Sequence, residues 1–208
     1  MKNVRVALLV FSVLVMVGAV LLILWANWPP SITTRTTTLH LIAPSNWGES
    51  AVDQIGTRTF SLTLTYPETI ITGQAAHYQM DIEQLPATVT AGGAEHQLRI
   101  RSELILPGFI NQQEGMFTQT VQDQKPVRFT WNVHAREPQS AVGTMRIFVD
   151  YVSPDNTVNP QLISVTELRL VSVSLAGLST TGATSLAVAL VLLAGLAGGL
   201  GLTRPRFG

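Results

Sequence analysis

Apolar residues are distributed along this chain in three regimes. From Val6 to Trp25 the chain reads VALLVFSVLVMVGAVLLILW, twenty residues without a charge and with one hydroxyl, Ser12. At about 1.5 Å rise per residue such a helix spans roughly 30 Å, the hydrocarbon thickness of a bilayer. Trp25 and Trp28 then stand where an interfacial aromatic belt would, and Pro29-Pro30 end the helix. Lys2 and Arg5 give the run the positive flank of a secretory leader. The run exceeds the roughly 7–15 apolar residues of such leaders and lacks a small-x-small cleavage site, so it reads as a retained anchor. A second uncharged run, Gly182 to Leu202, covers twenty-one residues and is followed by Arg204 and Arg206. It too is long enough to span.

Between Thr33 and Leu175 the helical period gives way to alternation, the mark of half-buried strands. Phe60, Leu62, Leu64 and Tyr66 share one face of the run 59–66, and Tyr78, Met80 and Ile82 one face of 77–84. Leu98, Ile100, Leu104 and Leu106 do so in 97–106, Phe129, Trp131 and Val133 in 128–134, and Met145, Ile147, Val149 and Tyr151 in 144–152. Weaker runs at 33–42 and 164–175 flank these, and the last changes phase near Leu170-Val171, where a β-bulge is expected. Gly- and Pro-containing turns separate the runs, at Ala91-Gly92-Gly93 and Ser153-Pro154-Asp155-Asn156 among others.

The fold class that follows is mainly β. Seven strands form an extracytoplasmic antiparallel β-sandwich, immunoglobulin-like in the loose sense, between two transmembrane α-helices. The expected domains are a cytoplasmic tail 1–5, a first transmembrane helix 6–28, the sandwich 31–178, a second transmembrane helix 182–202 and a cytoplasmic tail 203–208. Orientation rests on the flanking bases. Lys2, Arg5, Arg204 and Arg206 lie on one side, against Arg35 and Arg169 on the other, which puts both termini in the cytoplasm. All thirteen acids lie between Glu49 and Glu167, in the outer domain, which is periplasmic or exposed at a cell surface.

Composition narrows the functional classes. Charged residues make up 12% of the chain, against about 25% in ordinary soluble domains, and mean hydropathy is +0.30. A formal net charge of zero offers no basic surplus for nucleic acid. With no cysteine there is neither a disulfide framework nor a thiolate metal site. No hydrolase, zinc-protease, dinucleotide or phosphate-loop motif occurs, and neither apolar run holds an ionisable group of the kind transport pathways use. The chain is therefore read as a non-enzyme without cofactor or metal.

Two sets of residues remain as candidates for binding. In the C-terminal run, Gly195/Gly199, Ala194/Gly198 and Ala197/Gly201 are three overlapping pairs of small residues at four-residue spacing, which lets a second helix approach closely. The partner is either this chain's first helix, around Gly18-Ala19, or a helix of another subunit. The stretch 107–126 is too long for a hairpin turn and carries Phe109, Met116 and Phe117, which either dock on a partner or fold back as a lid. Phe148 and Ile105 are apolar on nominally polar strand faces and are docking candidates. Asp81 and Glu83 would meet Arg99 and Arg101 if their strands were hairpin neighbours. The expected function is a membrane-anchored accessory or scaffolding subunit whose partners are other membrane-protein subunits, with a homo-oligomer as a second arrangement. The alternative is a surface-tethered receptor or chaperone domain that takes a ligand or metal through His77, His134 or the 107–126 stretch.

Overall fold

The computed structural model describes residues 2–41, 58–85, 97–113, 115–122, 125–152 and 157–202. The turns expected at 91–93 and 153–156, His96 and the tail 203–208 lie outside the described residues. The chain is mainly β, with a long apolar helix at each end. Helix α1 runs Lys2–Ala26 and helix α2 runs Thr180–Leu202. Both are long and apolar enough to cross a membrane.

Each helix end has a local cause. Asn27 closes α1, its amide donating to the Ile23 carbonyl at 2.8 Å, and Pro29-Pro30 cannot continue the helix. Ser179 caps α2: its hydroxyl accepts the Gly182 N–H at 3.2 Å, one of the donors that a helix start leaves unpaired.

Among the described residues ten strands lie between the helices: β1 (Ile32–Leu41), β2 (Arg58–Pro67), β3 (Thr69–Ile71), β4 (Ala75–Gln84), β5 (Gln97–Ile105), β6 (Ile110–Asn111), β7 (Met116–Thr120), β8 (Val127–His134), β9 (Gln139–Val152) and β10 (Val158–Val173). They form two five-stranded sheets, in the orders β1-β2-β4-β8-β6 and β3-β10-β9-β5-β7. Pairing is antiparallel except that β3 runs parallel to β10.

The alternation read from the sequence decides which side chains turn inward. Leu62, Leu64, Tyr78, Met80, Phe129, Trp131 and Val133 from the first sheet share one core with Leu98, Ile100, Leu104, Met145, Ile147, Val149, Leu168 and Leu170 from the second. Trp131 sits at its centre, stacked on Phe129 with ring centroids 6.1 Å apart and edge-on to Phe117 at 6.2 Å.

Four expectations are corrected. The register shift in the last strand falls between Leu162 and Ser164, not near Leu170-Val171. Leu168, Leu170 and Ser172 keep one phase and face inward; Ser172 tolerates burial because its hydroxyl pairs with that of Thr72 at 2.9 Å. The stretch 107–126 is not one long loop, since it contains β6 and β7, one strand in each sheet. Pairing is not wholly antiparallel, because the short β3 joins β10 in parallel. Asp81 and Glu83 do not meet Arg99 and Arg101, because β4 and β5, though consecutive long strands, belong to different sheets. Asp81 pairs instead with Arg128, Arg101 with Asp150 at 2.6 Å, and Glu103 with Arg146 at 3.7 Å.

Candidate functional site

The helices pack against each other as an antiparallel pair. Among the covered positions are Leu8, Ser12, Val15, Ala19, Leu22 and Ala26 of α1 and Ala183, Ala187, Leu190, Ala194 and Ala197 of α2. In both helices the spacing alternates between three and four residues, the seam of a left-handed helix pair. The innermost positions are alanines: Ala19, Ala183, Ala187 and Ala194 are fully buried. Small side chains let the backbones close in, and the Ser12 hydroxyl donates across the seam to the Ala194 carbonyl at 2.8 Å.

The small residues of α2 divide between two faces. Ala194 lies in the seam, Ala197 is half-buried beside it, and a Cβ added at Gly198 would stand 3.1 Å from the Ser12 hydroxyl. Gly195 and Gly199 lie on the exposed side, with no atom within 4 Å of where a Cβ would be. Gly201 falls in the last turn of α2, and its surroundings lie outside the described residues.

The outer face of the second sheet holds the remaining candidates. Arg101 is the hub of this face. Its Nε approaches the Asp150 carboxylate, its guanidinium lies over the Phe148 ring at 5.4 Å, and its Nη1 donates to the Met116 sulfur at 3.2 Å. Phe148 is therefore half-covered from above, and Met116 stays exposed. Phe109 is buried in the core and Phe117 is half-buried against Trp131, so these two fold back over the core, as a lid does, and present little surface. Around the hub, the register sets Leu162 opposite Phe148 and Val165 opposite Arg146, while Val142 lies opposite Arg169. Val142, Leu162 and Val165 are 61%, 49% and 55% exposed. Sequence reasoning missed these three, although each is an apolar residue on the alternation phase that faces away from the core, which was the signal used for Phe148 and Ile105.

The outer face of the first sheet is polar. Thr34–Thr65 and Thr36–Thr63 form cross-strand hydroxyl pairs at 3.5 and 3.4 Å. In the β4–β8 ladder His77 faces Asn132 and His134 faces Ala75, so the two histidines are diagonal neighbours. Met80 is fully buried on the opposite side of β4. Among the described residues no three of His, Cys, Asp and Glu converge to hold a metal.

A third arrangement joins helices and strands. Thr72, between β3 and β4, is buried; its carbonyl accepts the Thr180 N–H at 2.8 Å, and its N–H donates to the Val173 carbonyl at 2.9 Å. Gly73 donates to the Ala135 carbonyl at 3.0 Å, and the Gln74 amide donates to the Trp28 carbonyl at 3.4 Å. One turn of the β domain thus holds the domain-side ends of both helices.

The class defined so far is a mainly β domain carried on a pair of long apolar helices. The chain matches no protein-family profile and no curated protein. Several solved structures align with it, two of which follow. One is a structural-genomics target from Bordetella pertussis, provisionally assigned as ApaA, at 12% identity over 68% of this chain and 95% of that one, with a TM-score of 0.24. The other is a structural-genomics target designated SoR45, at 14% identity over 66% of this chain and 85% of that one, also with a TM-score of 0.24. Neither alignment bears on the function of this chain.

Proposed function

We propose that this protein is a non-catalytic membrane anchor with a recognition domain: two spanning helices hold one extracytoplasmic, immunoglobulin-like β-sandwich that binds another protein. The setting that fits is an accessory or scaffolding subunit of a larger membrane complex. The observation that carries this reading is the outer face of the second sheet, where Val142, Leu162 and Val165 stand exposed beside Phe148 and Met116. Apolar side chains gathered on a sheet face turned to solvent are a mark of contact surfaces. The charged groups between them are already paired with one another, which suits a docking face better than a reacting centre.

Strand order supports the immunoglobulin-like assignment. β2, β4 and β8 take the positions of strands A, B and E of such domains, and β10, β9, β5 and β7 those of G, F, C and C′. On this assignment β1 and β6 are additions at the two edges of the first sheet. The basic residues Lys2, Arg5, Arg204 and Arg206 support cytoplasmic termini. The exposed Gly195 and Gly199 offer α2 a face for a helix of another subunit.

The test is extraction from native membranes in mild detergent, then native electrophoresis with mass spectrometry of the band holding this chain. Co-migration with larger membrane proteins at fixed stoichiometry is the expected result; migration alone would end the subunit reading. Replacing Gly195 and Gly199 by Leu is expected to disperse the complex while the circular dichroism of the β domain stays unchanged. The alternative, a tethered metal- or ligand-binding domain, draws on the diagonal placement of His77 and His134. Copper or zinc titration of the full chain in detergent, with His77→Ala as control, separates the two readings.

A further inference from the structure

The exposed apolar side chains of the β domain include a set at the end from which both helices leave. Trp28, Ile32 and Leu175 are 67%, 68% and 44% exposed. Trp28 follows the end of α1 and Ile32 opens β1. Leu175 is bridged to Leu178, whose side chain packs beside Gly182 in the first turn of α2. All three stand within six residues of the helix ends at Ala26 and Thr180, where α1 and α2 leave the β domain.

The domain is not free to lift away from that level. The turn 72–74 ties α2 through Thr180 and α1 through Trp28, and the same turn is fixed inside the domain by the bonds to Val173 and Ala135. Charge at this end is balanced: Arg35 pairs with Glu68 at 3.7 Å, and Arg136 adjoins Glu137.

We infer that this end of the domain is a lipid-contact collar: Trp28, Ile32 and Leu175 lie in the headgroup region of the bilayer and seat the domain on the membrane surface. The inference rests on the membrane reading proposed above. The lipid it suits is zwitterionic, because a collar of apolar side chains with balanced charge gains nothing from an anionic surface. Aromatic and apolar side chains at this depth exchange water for the acyl boundary while the strand backbone above stays hydrated.

The chain has no cysteine, so single-cysteine labelling is clean. Spin labels at Leu14→Cys, Ile32→Cys, Leu175→Cys and Val158→Cys replace side chains that are all exposed, which leaves the core untouched. The full chain is placed in phosphatidylcholine nanodiscs, and the accessibility of each label to oxygen and to a water-soluble nickel chelate is compared. The expected order of depth is Leu14 deepest, Ile32 and Leu175 at headgroup level, and Val158 in water. If Leu14 is in lipid while Ile32 and Leu175 match Val158, the collar is wrong and the membrane reading stands. If Leu14 is itself in water, both fall.

Discussion

Three residues show how local constraints set the cost of change. Ala176 has φ of 51° and Gly177 φ of 79°, the two central positions of a turn closed by the Leu178 N–H on the Leu175 carbonyl at 2.9 Å. Both positions are left-handed, as in a type I′ turn, and alanine pays steric strain there that glycine does not. Ala176→Gly is expected to raise stability by about 0.5–1 kcal/mol in chemical unfolding. Gly143 is the opposite case. A Cβ there would fall against the Ile105 carbonyl oxygen and the Leu106 side chain, so β9 can approach only without one. Gly143→Ala is expected to cost about 1–3 kcal/mol, the usual range for overpacking, with a matching fall in Tm. Tyr78 is fully buried with its hydroxyl on the Pro67 carbonyl at 3.4 Å; burial pushes its pKa well above the ordinary 10, and the neighbouring Tyr66 adds to the rise. The folded state thus holds this proton more tightly than the unfolded chain. The stabilising contribution is complete below about pH 10 and is lost as pH rises through the folded value. Unfolding curves between about pH 7 and pH 11 should show an alkaline loss that is smaller in Tyr78→Phe. An alkaline limb of the same size in that variant would assign the loss to other groups.

At the scale of elements, what the sequence revealed depended on length. The strands β2, β4, β5, β8 and β9 each carry enough alternating positions to display their period, and Trp131, Tyr78 and Met145 were legible as core for that reason. Strands of two, three and five residues, β6, β3 and β7, show no period of their own. Their pairing is dictated by neighbours distant in sequence, β8, β10 and β5. Charge partners were illegible for the same reason: which arginine meets Asp81 depends on strand order, and β8 supplies it. In the helices the small residues were visible, yet which of them face α1 could not be told until Ser12 was seen against Ala194. Ser12→Ala is expected to weaken the pair by about 0.5–1.5 kcal/mol, the usual net worth of one hydrogen bond. Ala187→Leu should do more, because a branched side chain at a fully buried seam position forces the backbones apart. Thermal unfolding of the full chain in detergent reads the first effect; cross-linking of a Ser12→Cys/Ala194→Cys chain reads the second, and equal yields with and without Ala187→Leu would contradict the alanine seam.

For the whole molecule, strand order and docking face were beyond the reach of alternation alone. The pattern marks which residues turn outward; only the sheet topology brings Leu162, Phe148 and Arg101 into one row across three strands. Introducing charge on this face tests its role: Val165→Glu together with Leu162→Glu should change stability by no more than about 1 kcal/mol, since both side chains are exposed. The same change is expected to abolish co-migration with partner proteins in native electrophoresis. The hold of the turn 72–74 on the helices has a consequence in time. The Thr72 carbonyl and the Ser12 hydroxyl, to which α2 is bonded, are both made earlier in synthesis than α2 itself. The partners of α2 therefore leave the ribosome before α2 does, and folding in the order of synthesis brings that helix to groups already made.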